Sequence, residues 1–198
     1  MGRPGAAAFS HNMKLWLVRH AQPLVEAGVC YGRLNLPADI GATAECAKSL
    51  AVLLPARLRV VTSPLQRCEQ LARALYAQRP DLAYKTDDRL LEMDFGQWEG
   101  RAWQAIGQSA LEAWTADFAN HTVGRDGETV TAFMGRIASA FDELQALGNE
   151  DAVWITHAGV IRAMTLMAQG IRHIERADQW PLDAPKYGQW RLLELHTD

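Results

Sequence analysis

Short runs of apolar residues, each followed by polar or turn-forming residues, recur along the chain. Such continuous runs predict buried strands. They lie at Leu15 to Val18, Leu58 to Thr62, Leu82 to Lys85 and Ala152 to Thr156. Trp190 to Leu195 alternates in character, which is typical of an edge strand. The pattern therefore predicts a sheet whose central strands are covered on both faces.

Apolar residues between these runs recur at helical spacing. Ser63 and Pro64 are suited to the N-cap and the first helical position, so one helix is predicted to start there. Thr129 is interpreted as the cap of another. The remaining predicted helices are Gly41 to Leu54, Ala102 to Phe118, Val130 to Leu147 and Val160 to Gly170.

The alternation of strands with helices predicts an α/β fold. We expect three α/β/α layers with a mainly parallel central sheet. Because no repeat or low-complexity linker interrupts the pattern, residues 13–198 are predicted to form a single domain after a disordered leader at residues 1–12. The stretch 98–129 is predicted to be a helical cap insertion above the sheet.

Composition narrows the function mainly by exclusion. The 198 residues are 48% hydrophobic and 22% charged, with a formal net charge of −3. This indicates no nucleic-acid or membrane partner, and any anion site must be a local cluster of cations. The three cysteines have no metal-binding or redox spacing, so we expect reduced thiols in a cytoplasmic protein. They are Cys30, Cys46 and Cys68.

Cationic side chains follow successive predicted strands at the same end. Arg19 and His20 follow the first strand, Arg67 lies in the helix turn after the second, and His157 follows the strand at 152–156. Glu92 lies in a loop after a further strand. Each alone is readily explained as a surface charge or a structural histidine. Together they indicate a catalytic anion site that suits a phosphoryl group, with no metal or cofactor required.

Four sequence segments carry a family resemblance. They are Leu-Val-Arg-His-Ala at 17–21, Ser-Pro-Leu-Gln-Arg-Cys at 63–68, Leu-Glu-Met-Asp-Phe-Gly-Gln-Trp-Glu-Gly at 91–100 and Thr-His-Ala-Gly-Val-Ile-Arg at 156–162. In this order they resemble the histidine phosphatase superfamily, also called phosphoglycerate mutase-like, from about residue 13 to residue 195. The Cys-Tyr-Gly-Arg-Leu-Asn-Leu-Pro segment at 30–37 and the form of the third segment are most similar to alpha-ribazole phosphatase-like proteins.

The chain departs from the commoner pattern of the superfamily at three positions. Ala21 replaces a glycine, Gln22 replaces a glutamate, and Glu26 stands where the mutases have an asparagine. These differences bear on the substrate rather than on the chemistry.

The resemblance implies a phosphatase in which His20 attacks phosphorus and forms a phosphohistidine. Arg19, Arg67 and His157 would hold the phosphoryl oxygens, as metal ions do in other enzymes. The surrounding cations would keep the imidazole neutral. Glu92 would act as general acid and then base.

The sequence leaves alternative roles open for several residues. Asp94 and Glu99 are rival acids on the same loop as Glu92. Arg33 is either a substrate contact or a solvated loop charge, and Trp103 is either a substrate contact or part of the packing. The expected ligand is a small-molecule phosphate ester, with alpha-ribazole 5′-phosphate as one candidate. The oligomeric state is not predicted.

The alternatives are a phosphoglycerate mutase, a broad-specificity phosphatase and an inactive domain that binds phosphorylated ligands. A mutase must grip an acidic substrate, yet Arg101 is the only cation between Gln97 and Gly124. The same stretch contains Trp98, Trp103 and Trp114. It therefore suits a substrate with an apolar or aromatic portion better than phosphoglycerate.

Overall fold

The computed structural model describes residues 12–148 and 150–196, which contain a five-stranded sheet. The strand order is β3-β2-β4-β1-β5, and β5 alone runs antiparallel to its neighbour. The predicted mainly parallel sheet and the edge strand at its end are confirmed, and the structure adds that this edge strand is antiparallel. The strands are β1 (Asn12–Arg19), β2 (Arg59–Thr62), β3 (Tyr84–Thr86), β4 (Ala152–Thr156) and β5 (Trp190–His196).

Five α-helices connect these strands in the described residues. They are α1 (Ile40–Leu53), α2 (Gln66–Gln78), α3 (Gln108–Ala116), α4 (Val130–Ala146) and α5 (Ala158–Met167). Thr129 caps α4, because its side chain accepts a hydrogen bond from the N–H of Ala132 over 3.0 Å. The predicted cap is therefore confirmed.

Three helix predictions were wrong in their limits. The helix α5 spans Ala158–Met167, whereas Val160 to Gly170 was predicted. The helix α2 begins at Gln66 rather than at Pro64, and Ser63 is not its cap: the Ser63 hydroxyl lies 2.8 Å from His157 Nε2 and accepts only a long hydrogen bond, over 3.4 Å, from the N–H of Leu65 before the helix. The predicted helix over 102–118 is divided. A short 3-10 turn covers residues 103–105, and α3 starts only after Gly107.

The sheet separates two hydrophobic layers, as the alternation of side chains in a strand requires. Leu15 and Leu17 of β1 belong to the core that includes α4 and α5. Trp16 and Val18 belong to the core that includes α1 and α2. Both faces of β1 are therefore buried, and the predicted three-layer α/β/α architecture is confirmed.

The pairing of β1 with β4 sets the position of the two histidines. Arg19 is the register partner of Thr156, and the N–H of His20 donates to the carbonyl of Thr156 over 3.1 Å. His20 and His157 directly follow these partners. They therefore leave the carboxyl edge of the sheet side by side.

The predicted leader lies outside the described residues, apart from Asn12, which begins β1. The stretch proposed as a cap contains α3 and two 3-10 turns, and its buried side chains Trp98, Ile106 and Phe118 join the core on the α4 and α5 side. Within the described ranges, no helix is both long and apolar enough to cross a membrane.

Candidate active site

His20 is buried at the carboxyl end of β1, with only 1% of its surface exposed. Its Nδ1 atom lies 2.7 Å from the carbonyl oxygen of Ala21, which can only accept a hydrogen bond. Nδ1 therefore carries the proton and Nε2 carries the lone pair. Burial lowers the pKa of His20 well below its ordinary value, and the charges of Arg67 and Arg19 lower it further against the opposing effect of the Ala21 carbonyl. The ring is thus neutral at pH 7.

Arg67 reaches His20 from the first turn of α2 and is fully buried. Its Nε–H donates to His20 Nε2 over 3.3 Å. Its Nη1 and Nη2 groups donate to the carbonyls of Leu34 and Gly32 over 2.7 and 2.6 Å. The loop after β1 therefore fixes the guanidinium beside the histidine.

His157 lies next to His20, with ring centroids 5.2 Å apart in an edge-to-face arrangement. Its Nε2 atom is 2.8 Å from the Ser63 hydroxyl and 3.5 Å from the Cys68 thiol. Complete burial lowers the pKa of His157 well below its ordinary value, with further lowering by Arg67 and His20. The second histidine is therefore also neutral.

Arg19 completes the cluster of cations and histidines. Its Nη1 group donates to the carbonyl of Pro185 over 3.0 Å, and its guanidinium carbon lies 3.9 Å from the centre of the Tyr187 ring. The buried Nε–H has no hydrogen-bond partner among the described residues. Packing against the Tyr187 ring therefore contributes much of what fixes the Arg19 side chain.

Glu92 projects from the loop after β3 toward the start of α5. Its carboxylate accepts hydrogen bonds from the N–H groups of Gly159 and Met93 over 3.0 and 3.1 Å. A Cβ atom at position 159 would collide with this carboxylate, so a glycine is required there for Glu92 to occupy its place. Gly159 follows His157 by two residues, which brings the acid to the edge of the histidine cluster.

A partly buried ion pair holds the loop that carries Glu92. Arg136 of α4 donates to the carboxylate of Glu128 over 2.7 Å, and its Nη groups donate to the carbonyls of Arg89, Leu91 and Glu92 over 2.8 to 3.0 Å. Sequence reasoning did not find this role. The one available signal was an arginine on the apolar side of a helix, next to Ile137.

The rival acids and Arg33 are tied into the same loop. The Glu99 carboxylate accepts from the N–H groups of Arg33 and Phe95 over 2.7 and 3.0 Å, and burial raises its pKa. The guanidinium of Arg33 lies 3.6 Å from both Asp94 and Glu128. Arg33 is therefore held by carboxylates rather than freely solvated, and Glu99 joins two loops.

An apolar cavity of about 200 Å³ opens beside Glu92. Its aromatic walls are Phe95, Trp114, Phe118, Phe133 and Trp180, and Glu92, Gly159 and Arg162 also line it. Trp103 is not among the lining residues. Its ring packs edge-on against Phe95, with centroids 5.3 Å apart, so the structure places it behind the cavity wall.

The described part of the chain contains no group of three or more His, Cys, Asp and Glu side chains arranged to hold a metal ion. Cys30, Cys46 and Cys68 are buried and unpaired, as expected. The side chains of Arg19 and Arg67 place two positive charges next to the histidines.

The comparisons with known proteins agree with this fold. Residues 15–197 match the sequence profile of the Histidine phosphatase superfamily (branch 1). The chain belongs to this superfamily. It is an enzyme of the family, a phosphatase.

Several relatives share the fold at low sequence identity. A protein of Hydrogenobacter thermophilus, provisionally named phosphoserine phosphatase 2, is 22% identical over 162 residues, which cover 80% of this chain and 79% of the relative. A protein of Escherichia coli K-12, provisionally named alpha-ribazole-5′-P phosphatase, is 25% identical, with a TM-score of 0.78 and coverage of 92% of this chain and 90% of that one.

A mycobacterial glucosyl-3-phosphoglycerate phosphatase is 22% identical, with a TM-score of 0.77, and covers 91% of this chain and 89% of its own. That enzyme has also been solved with inorganic phosphate and with VO3. These similar structures share the fold, while their names indicate different substrates.

Proposed function

We propose that this enzyme hydrolyses phosphate monoesters through a phosphohistidine on His20, without a metal ion. The observation that carries the proposal is the hydrogen bond from His20 Nδ1–H to the Ala21 carbonyl, which leaves the Nε2 lone pair available for attack. Burial keeps the ring neutral, so the lone pair is present at neutral pH.

Attack forms a bond between His20 Nε2 and phosphorus and breaks the bond between phosphorus and the alcohol oxygen. The Nε2 lone pair accepts the Nε–H of Arg67 in the free enzyme, so this N–H has to turn to a phosphoryl oxygen when the substrate binds. Arg19, Arg67 and an N–H of His157 then neutralise the equatorial oxygens.

Glu92 supplies the proton that the departing alkoxide needs. The resulting carboxylate takes a proton from water, the water oxygen attacks phosphorus, and the bond to His20 breaks to release inorganic phosphate. One carboxyl group thus serves both half-reactions. Its place between the histidine cluster and the apolar cavity supports this role.

The same cavity supports a substrate whose alcohol has an aromatic or apolar portion. Such a portion would pack against the rings of Trp114, Phe118 and Trp180 while the phosphate reached His20. Alpha-ribazole 5′-phosphate has this shape, and the sequence resemblance points the same way. We therefore propose a role in cobalamin biosynthesis in the cytoplasm, a compartment that its three unpaired thiols support.

A phosphoglycerate mutase remains the second candidate because the superfamily includes one. Against it, the guanidinium of Arg101 donates to the carbonyl of Ala105 over 2.7 Å and does not line the cavity beside Glu92. Arg162 is then the one cation among the described residues that line this cavity, against five aromatic side chains. An inactive phosphate-binding domain would not need a neutral His20 with its lone pair directed at the arginine that binds phosphate.

Rapid quenching with ³²P-labelled substrate tests the mechanism. We expect acid-labile, base-stable label on the wild-type protein, none on His20→Ala, and full activity after exhaustive chelation. A His20→Ala variant that keeps more than about a tenth of the wild-type rate would exclude His20 as the nucleophile, since loss of a catalytic nucleophile costs far more than that. Restoration of a lost rate by Mg²⁺ would exclude the metal-independent mechanism.

A further inference from the structure

Two tyrosines from distant loops meet beside the phosphate-binding arginines. The hydroxyls of Tyr31 and Tyr187 lie 2.9 Å apart and form a hydrogen bond. Tyr187 packs against the guanidinium of Arg19, and the guanidinium carbon of Arg67 lies 5.2 Å from the centre of the Tyr31 ring. The tyrosine pair therefore contacts both arginines at once.

The backbone next to each tyrosine is fixed to the catalytic elements. The N–H of Gly188 lies within hydrogen-bond distance of the carbonyls of Arg19 and His20, at 3.2 and 3.0 Å. The carbonyl of Gly32 accepts from Arg67 over 2.6 Å. One tyrosine is thus attached to the end of β1 and the other to the side chain of Arg67.

The two arginines differ in how firmly they are held. Arg67 makes three hydrogen bonds and is fully buried. Arg19 makes one, to the Pro185 carbonyl, and its buried Nε–H has no partner among the described residues. A weakly held arginine loses affinity for its ligand, because binding must then order a long side chain that has many rotamers.

We propose that the hydrogen bond between Tyr31 and Tyr187 is a positioning device that fixes Arg19 at a set distance from Arg67 before phosphate binds. Tyr31, anchored on the Arg67 side, holds the Tyr187 ring, and that ring holds the guanidinium of Arg19. This inference rests on the proposed function, in which both guanidinium groups grip the phosphoryl oxygens. Tyr31 and Tyr187 are accordingly positioning residues rather than catalytic ones.

The test uses Tyr31→Phe, Tyr187→Phe and the double variant, which keep the rings and remove the hydroxyls. Tyr76→Phe is the matched control, because Tyr76 packs against Tyr84 at the other end of α2. Each rate is divided by the amount of enzyme that is labelled with ³²P in the initial phase of the reaction, so that misfolded protein does not affect the comparison. We expect each single variant to lower kcat/KM about three- to tenfold, as the loss of one hydrogen bond should, and to weaken vanadate inhibition equally.

The double variant should be no slower than either single variant, because both remove the same bond. The decrease in kcat/KM caused by Tyr31→Phe should also disappear when Arg19 is already replaced by glutamine. If Tyr31 only supported the overall structure, the decrease would remain. Three results would overturn the inference. The losses in the double variant could multiply, or the Tyr31→Phe loss could persist in the Arg19→Gln background. The third is a rise in kcat/KM, which is expected if the tyrosine pair obstructs access to the site. If no acid-labile, base-stable label could be trapped on the wild-type protein, even with an aryl phosphate that has a good leaving group, the proposed mechanism itself would instead be overturned.

Discussion

The Nε–H of Arg67 donates a hydrogen bond to Nε2 of His20 over 3.3 Å, inside a site where both side chains are almost completely buried. The contact directs the histidine lone pair at the guanidinium that we propose holds the phosphate. Under this proposal, the free enzyme already aligns the attacking atom with the anion site before any substrate arrives.

Replacement of Arg67 by lysine should lower kcat by about 10² to 10³, because an ammonium cannot keep the Nε–H and both carbonyl contacts at once. Steady-state kinetics with an aryl phosphate measures the loss. Arg59→Lys is the control, since Arg59 lies at the start of β2 and pairs with Glu150 at the surface. A rate within threefold of wild type for Arg67→Lys would contradict the predicted role.

Replacement of Glu92 by glutamine should slow cleavage of an alkyl phosphate by about 10² to 10⁴, because a poor leaving group depends on the proton. The loss in the phosphorylation step should be much smaller for p-nitrophenyl phosphate, whose phenolate leaves without help. Single-turnover kinetics on both esters makes the comparison. Equal losses would show that Glu92 acts only by positioning its neighbours.

Gly159→Ala should reduce activity as Glu92→Gln does, because the added methyl group would displace the Glu92 carboxylate. The Tm should fall only modestly, since the carboxylate can move aside and the buried ring of Phe133, 3.2 Å from the added Cβ, has to shift only slightly. Gly135→Ala is the matched control. Its Cβ meets nothing within 4 Å in α4, so it should stabilise the protein by up to about 1 kcal/mol with unchanged activity. Full activity of Gly159→Ala would contradict the assigned position of Glu92.

The buried histidines predict how stability depends on pH. The pKa values of His20 and His157 lie well below 6.5 in the folded protein, so between 6.5 and those lower values only the unfolded chain gains these protons. The free energy of unfolding should therefore fall as the pH drops below 6.5, by at most about 2.7 kcal/mol per pH unit from the two groups. Urea denaturation from pH 7.5 to 5 measures this.

His157→Asn should remove about half of that histidine-dependent slope, because asparagine does not titrate. His173→Asn is the control, since His173 is exposed. A slope unchanged by His157→Asn would contradict the inferred neutral state of His157.

The cavity wall predicts which tryptophan governs substrate preference. The preference for alpha-ribazole 5′-phosphate is the ratio of its kcat/KM to that for 3-phosphoglycerate. Trp114→Leu should lower this ratio more than Trp103→Leu does, because of these two tryptophans only Trp114 lines the cavity. The effect should be about tenfold, as expected when part of an aromatic contact surface is lost. A wild-type enzyme that handles 3-phosphoglycerate equally well would overturn the proposed substrate.

Much of the fold follows from local pattern. The strands at 152–156 and 190–195 were predicted almost to the residue, because apolar runs that end at polar residues have few alternative structures. The start of α2 was wrong for a physical reason. Ser63 has the right chemistry for a cap, but the sequence does not show that His157, 94 residues away, takes its hydroxyl.

In the candidate site, too, some residues could be predicted from local sequence, whereas others depend on contacts between distant parts of the chain. Arg19, His20, Arg67 and His157 could be proposed because each follows a strand or begins a helix. Tyr187 could not, since it lies in a loop without periodicity, and its position depends on contacts with Arg19 and Tyr31 that only the folded chain brings together.

The order of the strands in the sheet also has a consequence for folding while the chain is being synthesised on the ribosome. β1 lies between β4 and β5, whose partners to Leu15 are Ala152 and Leu193, more than a hundred residues later in the chain. At roughly 5 to 20 residues per second, a ribosome takes on the order of 10 to 30 s to reach them. During that time the apolar strand β1, which directly precedes His20, has neither of its pairing partners. Chaperones that shield nascent chains should therefore bind this segment first, and ribosome stalling before β5 should leave it open to aggregation.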